Sequence, residues 1–126
     1  MDRIYLPAED MRRFGCSESA VLSGFVDERF AALMRFEIDR VRKMYLEAEP
    51  GIALLAKDAR YGVRLALALY SGILDRIEAN RYDVFTRRAY VPWRAKLATA
   101  VGLAVNPRLC APYPRRAVTL PTDRPR

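Results

Sequence analysis

Residues 65–74 form a run of ten positions without a formal charge. Ten residues are too few for a membrane span, which needs roughly 18–20. The surrounding pattern extends the run into a helix that Asp58 can cap and that continues to about Asn80. Because a helix that is apolar on every side is typically a buried one, the sequence predicts that the helix over residues 58–80 is the most buried part of the fold.

Four further helices are predicted from capping residues and apolar periodicity. Proline or a small polar residue stands at each predicted start. Glycine or proline stands at or shortly after three of the four predicted ends. The predicted helices run from Pro7 to Gly15, from Ser17 to Gly24, from Asp27 to about Ala48, and from Pro92 to about Leu103. Pro50 and Gly51 are expected to stop the third helix. No alternating strand pattern is present, so the predicted fold class is all-α.

The C-terminal segment differs from the helical body in composition. Residues 107–126 contain five prolines, and five arginines against one aspartate, so they carry +4 of the total net charge of +7. Proline at this density leaves no room for a helix, and no apolar periodicity remains. We expect one domain over residues 1–105 and a disordered basic tail over residues 106–126.

The residue inventory excludes several classes of enzyme. The chain has no histidine, so Ser-His and Cys-His nucleophilic pairs cannot occur. Cys16 and Cys110 are the only cysteines and cannot by themselves form a tetrahedral zinc site, so we interpret them as free thiols. Asp2, Arg3 and Glu9 interrupt any apolar signal segment at the start, which predicts a cytoplasmic protein.

Four short blocks of sequence carry a resemblance to a known family. They are DRIYLP at residues 2–7, YLEAEPGI at 45–52, YSGILDRI at 70–77 and YDVFTRR at 82–88. In this order and spacing they resemble the C-terminal part of the squalene/phytoene synthase family, and within it the bacterial phytoene synthases, over about residues 3–103. The resemblance implies the helical bundle of an isoprenoid synthase. It also implies a transferase that uses Mg²⁺ to join two geranylgeranyl diphosphates head to head into phytoene, in carotenoid biosynthesis.

The two aspartate-rich magnesium motifs of that family are not found in this sequence. In the family, one motif ends a few residues before the RIYLP block, and the other lies far upstream. Such motifs place aspartates at i and i+4 on one helix face, and no acidic residue here has an acidic partner at i+4. The one i, i+3 pair, Asp75 and Glu78, is interpreted as a solvated helix end. We therefore expect no metal ligand and no bound Mg²⁺ in this chain alone, and no phytoene synthesis by it alone.

Three residues match family positions near the substrate diphosphate. By resemblance, Tyr70 is the active-site tyrosine and Arg87 is a diphosphate-binding arginine, and a guanidinium can hold phosphate oxygens in a bidentate manner. Arg3 follows the position of the second aspartate motif, which also places it toward phosphate. Arg94 and Lys96 match a basic cluster of the family. From the residues alone, Tyr70 can equally be a core tyrosine bonded to a backbone carbonyl, and Arg87 a solvated surface charge.

The resemblance also implies the partners of the chain. The first is a prenyl diphosphate substrate. If the chain is half of a split enzyme, a complementing N-terminal chain that carries the aspartate-rich motifs is the second, and a peripheral contact with a membrane is left open. Nucleic acid is not expected, because the arginines are not interleaved with aromatic residues and no groove-reading motif is present. A non-catalytic helical module that binds prenyl diphosphate or a partner chain is the alternative. The sequence leaves open whether the chain is half of a split enzyme, a gene remnant or a trimmed sequence.

Overall fold

The computed structural model describes residues 4–106, which form five α-helices and no β-strand. The helices are α1 (Ala8–Arg13), α2 (Glu18–Leu22), α3 (Glu28–Ile52), α4 (Lys57–Ala79) and α5 (Trp93–Val105). The prediction of an all-α chain is confirmed for this part. The predicted tail lies outside the described residues except for Asn106, so its disorder stays a prediction.

The predicted caps of the second and third helices are confirmed. The Ser17 hydroxyl accepts a hydrogen bond from the backbone N–H of Ala20 at 3.1 Å. The Asp27 carboxylate accepts one from the backbone N–H of Phe30 at 2.7 Å. Each bond satisfies one of the N–H groups that a helix start leaves without a partner. Local side-chain chemistry therefore fixes where α2 and α3 begin.

Two predicted helix boundaries differ from the observed ones, by four residues at the end of α3 and by two at the start of α4. Helix α3 continues past Ala48 and ends at Ile52, with Pro50 inside it. A proline in the last turn removes a single hydrogen bond, and the buried side chain of Ile52 holds that turn against the protein. Helix α4 begins at Lys57, so Asp58 is not its cap but an acidic residue of its first turn, where a negative charge favours the helix dipole.

The hydrophobic core lies between α1, α2 and the first half of α3. Its buried members are Met11, Cys16, Val21, Phe30 and Leu33. Leu33 is fully buried, and burying a side chain of this size contributes about 1.5–3 kcal/mol. Cys16 is a free buried thiol whose pKa is raised, chiefly by burial and also by the nearby charge of Asp27. Its counterpart Cys110 lies outside the described residues.

The prediction that the helix over residues 58–80 is the most buried one is wrong. Ser71 is the one residue of α4 that is buried, whereas α3 has four buried residues. Helix α4 lies against α3 on one side and α5 on another. A helix that is apolar all round can be buried only where neighbours surround it, and the described chain supplies neighbours on these two sides.

Candidate functional site

The connection between α4 and α5, residues 80–92, carries Arg87 and is organised by Asp83. One carboxylate oxygen of Asp83 accepts hydrogen bonds from the backbone N–H groups of Phe85 at 3.2 Å and Thr86 at 2.9 Å. The Thr86 hydroxyl donates to the other oxygen. Together these bonds hold the pKa of Asp83 below its usual value, and the bond from the Thr86 hydroxyl makes the largest contribution. Asp83 therefore orders the chain immediately before Arg87.

Two aromatic side chains attach this connection to α3. The Nε of Arg35 donates a hydrogen bond to the Tyr82 hydroxyl at 3.2 Å, and its guanidinium lies 5.6 Å from the centre of the same ring. Further along, the Phe85 ring lies 5.0 Å from the ring of Phe30, which belongs to the core. The connection is thus held at both sides of Asp83 rather than left as a free loop.

Arg87 lines an open cleft between this connection and the segment that precedes α3. The cleft has a volume of about 810 Å³. One wall is formed by residues 24–26, and the other by residues 79–81 together with Asp83, Thr86 and Arg87. Backbone groups and polar side chains thus share the cleft with a guanidinium, a composition that suits an anionic ligand.

Tyr70 occupies a different position from Arg87. It lies on α4 and is 59% exposed, so the interpretation of Tyr70 as a buried core tyrosine is wrong. The pKa of Tyr45 on α3 is raised chiefly by burial and in addition by the charge of Tyr70. Tyr70 precedes Ala79 by nine residues, or roughly 13 Å along the helix, and it does not line the cleft. Tyr70 is therefore not part of the cleft that Arg87 lines.

The middle of α4 approaches the end of the connection closely. A Cβ added at Gly72 would lie 3.2 Å from Cγ2 of Val91, so the glycine makes this contact possible. Ser71 is buried beside it, and its hydroxyl has no hydrogen-bond partner within residues 4–106. This contact fixes the connection at its end, just as Asp83 fixes it before Arg87.

The acidic pair on α4 is engaged by an arginine of α3. Nη2 of Arg42 lies 2.8 Å from Asp75 and 2.6 Å from Glu78, and Nη1 donates to Glu78 at 3.0 Å. Asp75 is half exposed, but it is not merely a solvated helix end. This pairing could not be recognised from the sequence, because it depends on how α3 and α4 face each other.

The residues present do not fit a magnesium site. The described part of the chain has no group of three or more carboxylate, cysteine or histidine side chains that could hold a metal ion. The acidic pair Asp75 and Glu78 is shared with a guanidinium, whose positive charge opposes that of a cation. The carboxylates of Asp10 and Glu37 likewise share the guanidinium of Arg40.

The remaining predicted basic residues are Arg3, Arg94 and Lys96. Arg3 is outside the described residues. Arg94 and Lys96 are exposed in the first turns of α5, where the Arg94 guanidinium lies 5.6 Å from the centre of the Trp93 ring. They do not line the Arg87 cleft.

A second, smaller cleft between α4 and α5 was not predicted. Its volume is about 260 Å³, and its basic residues Lys57, Arg60 and Arg64 follow each other at helical spacing along α4. Leu103 and Tyr61 complete the lining. The spacing of the three cations was a visible signal in the sequence, but the position of α5 beside them was not. Among residues 4–106, no helix is both long enough and apolar enough to cross a membrane.

Comparison with known proteins identifies relatives for most of this chain. The family model for squalene/phytoene synthase matches residues 1–95. A 15-cis-phytoene synthase of Synechocystis sp. is 58% identical over 95 residues, which cover 75% of this chain and 28% of that protein. A phytoene synthase of Arthrospira platensis is 56% identical over 93 residues, covering 73% of this chain and 30% of that protein. A chloroplastic phytoene synthase of Daucus carota is 42% identical over 110 residues, covering 87% of this chain and 27% of that protein.

No solved structure matches this chain. The chain spans between 27% and 30% of the length of the three relatives described. The match covers the four sequence blocks and reaches into the first turn of α5. Together with the five helices it confirms the predicted all-α fold of the isoprenoid synthase type. The chain belongs to the squalene/phytoene synthase family.

Proposed function

We propose that this chain is the C-terminal, diphosphate-binding portion of a phytoene synthase that condenses two geranylgeranyl diphosphates in carotenoid biosynthesis. The observation that carries the proposal is the cleft at Arg87, which lies within the part of the chain that is 58% identical to a 15-cis-phytoene synthase. An ordered arginine beside polar groups is suited to a leaving diphosphate.

Arg87 has a direct part in this proposal. When the bond between C1 of a prenyl diphosphate and its oxygen breaks, the electron pair stays with the diphosphate, whose negative charge rises. A guanidinium aimed at those oxygens stabilises the developing charge. Asp83 acts as a positioning residue, because it orders the backbone just before Arg87.

Tyr70 has a separate part. Its phenol is exposed on α4, roughly 13 Å along the helix from the cleft. A phenolic O–H can donate a hydrogen bond to a phosphate oxygen. We place this contact on the open face of α4 rather than in the cleft. Arg3, by resemblance, is a third contact to phosphate.

The magnesium that the reaction requires is proposed to lie on aspartates outside this chain. When bound, it would neutralise the diphosphate oxygens as a Lewis acid. Because the residues described here do not fit that ion, a complementing N-terminal part must supply the carboxylates. The chain alone is therefore proposed to be inactive.

A reconstitution experiment tests this proposal. The purified chain is incubated with geranylgeranyl diphosphate and Mg²⁺, alone and together with the N-terminal two thirds of the Synechocystis relative. We expect a C40 product in the mixture and none with either part alone. Clear turnover by the chain alone would contradict the absence of a metal site.

A non-catalytic binding module is the second candidate, and the lack of a metal-binding carboxylate set within residues 4–106 favours it. Such a module would bind geranylgeranyl diphosphate with the same affinity in the presence and absence of Mg²⁺. Reconstitution separates the two candidates: persistent binding without any C40 product in the mixture supports the module and contradicts the synthase.

Peripheral contact with a membrane is proposed for the outer face of α5. Four exposed apolar side chains recur there at every fourth position: Trp93, Leu97, Val101 and Val105. Residues 84–106 contain four basic residues and no acidic residue. The smaller cleft adds three cations beside the same helix. An apolar stripe with a tryptophan and flanking cations is the composition of a helix that lies in the surface of an anionic bilayer.

The single tryptophan of the chain makes this contact measurable. Vesicles of phosphatidylglycerol and phosphatidylcholine should shift the Trp93 fluorescence to shorter wavelength and sediment the protein, and Val101→Asp should abolish both effects. Leu54→Asp, at an exposed position between α3 and α4, is the matched control. An unshifted spectrum with no sedimentation would contradict the membrane contact and leave the cleft unaffected.

A further inference from the structure

The turn that ends α4 holds two consecutive residues in an unusual backbone conformation. Arg81 has a φ of 57° and Tyr82 a φ of 63°, values in the left-handed region that favours glycine. The N–H of Arg81 bonds to the carbonyl of Glu78 at 2.8 Å, and that of Tyr82 to the carbonyl of Ile77 at 2.9 Å. Strain of this kind persists only where the surroundings impose it, and it is concentrated at functional sites.

The contacts around Tyr82 are what impose the turn. Arg35 holds the Tyr82 ring against α3, and the Asp83 carboxylate holds the chain that follows. Arg81 itself lines the cleft that Arg87 also lines. The turn therefore places the Arg81 side chain at the cleft, and a glycine or asparagine in its place would fit the backbone more easily.

The two arginines of the cleft have no acidic partner in direct contact. Neither Arg81 nor Arg87 forms an ion pair within residues 4–106. The one carboxylate in the lining, that of Asp83, already accepts hydrogen bonds at both oxygens from Phe85 and Thr86. Asp83 still carries its negative charge, and the charge of Arg87 helps to lower its pKa. The lining nevertheless contains two guanidiniums and one carboxylate, and this excess of positive charge favours an anionic ligand.

We propose that Arg81 is a second diphosphate-binding residue, which acts with Arg87 as a pair of guanidiniums on the same ligand. This inference rests on the proposed function, because that function names the diphosphate as the ligand of Arg87. A diphosphate carries its charge on two linked phosphate groups, so it offers oxygens to two guanidiniums at once. The strained turn is the structural cost of placing the second one.

Binding of inorganic pyrophosphate to the full chain tests this inference without requiring any catalytic activity. Isothermal titration at low salt and without metal compares the native chain with Arg81→Asn and Arg87→Gln. Asparagine adopts the left-handed conformation more readily than arginine, so Arg81→Asn removes the guanidinium while easing the backbone. Arg76→Gln, at an exposed position of α4 outside the cleft, is the control for the loss of one positive charge.

We expect Arg81→Asn and Arg87→Gln each to weaken pyrophosphate binding by roughly tenfold, and Arg76→Gln to leave it nearly unchanged. The melting temperature of Arg81→Asn should be equal to or above that of the native chain, because the strained turn is relaxed. If Arg87→Gln alone weakens binding, the role of Arg81 is wrong and the proposed function stands. If Arg76→Gln has the same effect as the other two, or if no variant has an effect, the cleft is not a diphosphate site and both proposals are contradicted.

Discussion

Residues 4–40 and residues 57–105 bury their apolar side chains to very different extents. In the first region, α1, α2 and the start of α3 enclose a core in which Leu33 is fully buried. In the second, α4 and α5 are richer in apolar residues, yet Ser71 and Leu103 are the two buried ones. An apolar composition therefore does not by itself bury a helix. The first region provides its own packing partners, whereas the second has apolar faces that its neighbours in this chain leave open.

The largest effect expected from this comparison is the loss of a core side chain. Leu33→Ala should lower the free energy of unfolding by about 2–5 kcal/mol, because it removes buried methyl groups and leaves a cavity. Leu97→Ala, at an exposed position of α5, should change it by less than about 0.5 kcal/mol. Urea denaturation followed by circular dichroism measures both. Equal losses for the two variants would show that α5 is packed as tightly as the core.

A smaller effect is expected where ion pairs connect α3 to the second region. Arg42→Ala removes the ion pairs that connect α3 to Asp75 and Glu78. The guanidinium is largely buried but Asp75 is half exposed, so a loss of about 1–2 kcal/mol in unfolding free energy is expected, between the values for exposed and buried pairs. Arg76→Ala, on the exposed side of α4, is the control. A loss no larger than that of the control would contradict a structural role for Arg42.

The smallest effect concerns a carboxyl group in the first region. Burial raises the pKa of Glu37; Arg40 lowers it, and the neighbouring carboxyl of Asp10 raises it further. The folded chain thus favours the neutral form of the Glu37 carboxyl. The stabilisation that this form provides is complete below the pKa that Glu37 has in the unfolded chain. It is lost as the pH rises through the pKa that Glu37 has in the folded chain. Glu37→Gln, which is always neutral, should be more stable than the native chain at pH 7 by less than about 1 kcal/mol, and this gain should vanish near pH 4.

Thermal unfolding between pH 4 and pH 7 measures that difference. Glu47→Gln, an exposed position of the same helix, controls for the loss of one negative charge. A gain of the Glu37 variant that is constant over this pH range would mean that the carboxyl group does not titrate differently in the folded and unfolded chain.

Local chemistry made part of the fold predictable. The caps at Ser17 and Asp27 depend on a side chain and a backbone N–H three residues away, so the sequence contains everything needed to recognise them. The predicted end of α3 was wrong, because the burial of Ile52 outweighs the missing N–H of Pro50. The predicted burial of α4 was wrong as well, because the burial of a helix depends on which helices surround it.

The candidate site also has features that could be predicted from the sequence and features that could not. Tyr70 and Arg87 were named from sequence blocks, and their roles stay predictions. The cleft at Arg87 and the conformation of Arg81 could not be predicted, because they depend on how α4 ends and where the segment before α3 passes. The engagement of Asp75 by Arg42 depends on the register of two helices that are distant in sequence.

The most direct test of the proposed function is the rate of phytoene formation by the reconstituted enzyme with Arg87→Ala, Arg88→Ala or Asp75→Asn in this chain. Loss of a charge-assisted contact to the departing diphosphate, on the order of 1.5–3 kcal/mol, should slow Arg87→Ala by roughly ten- to a hundredfold. Arg88→Ala, the adjacent charge outside the cleft, and Asp75→Asn should stay within about threefold of the native rate. A near-normal rate for Arg87→Ala beside a crippled Asp75→Asn would contradict the account, since the essential group of this chain would then be a carboxylate and not the arginine of the cleft.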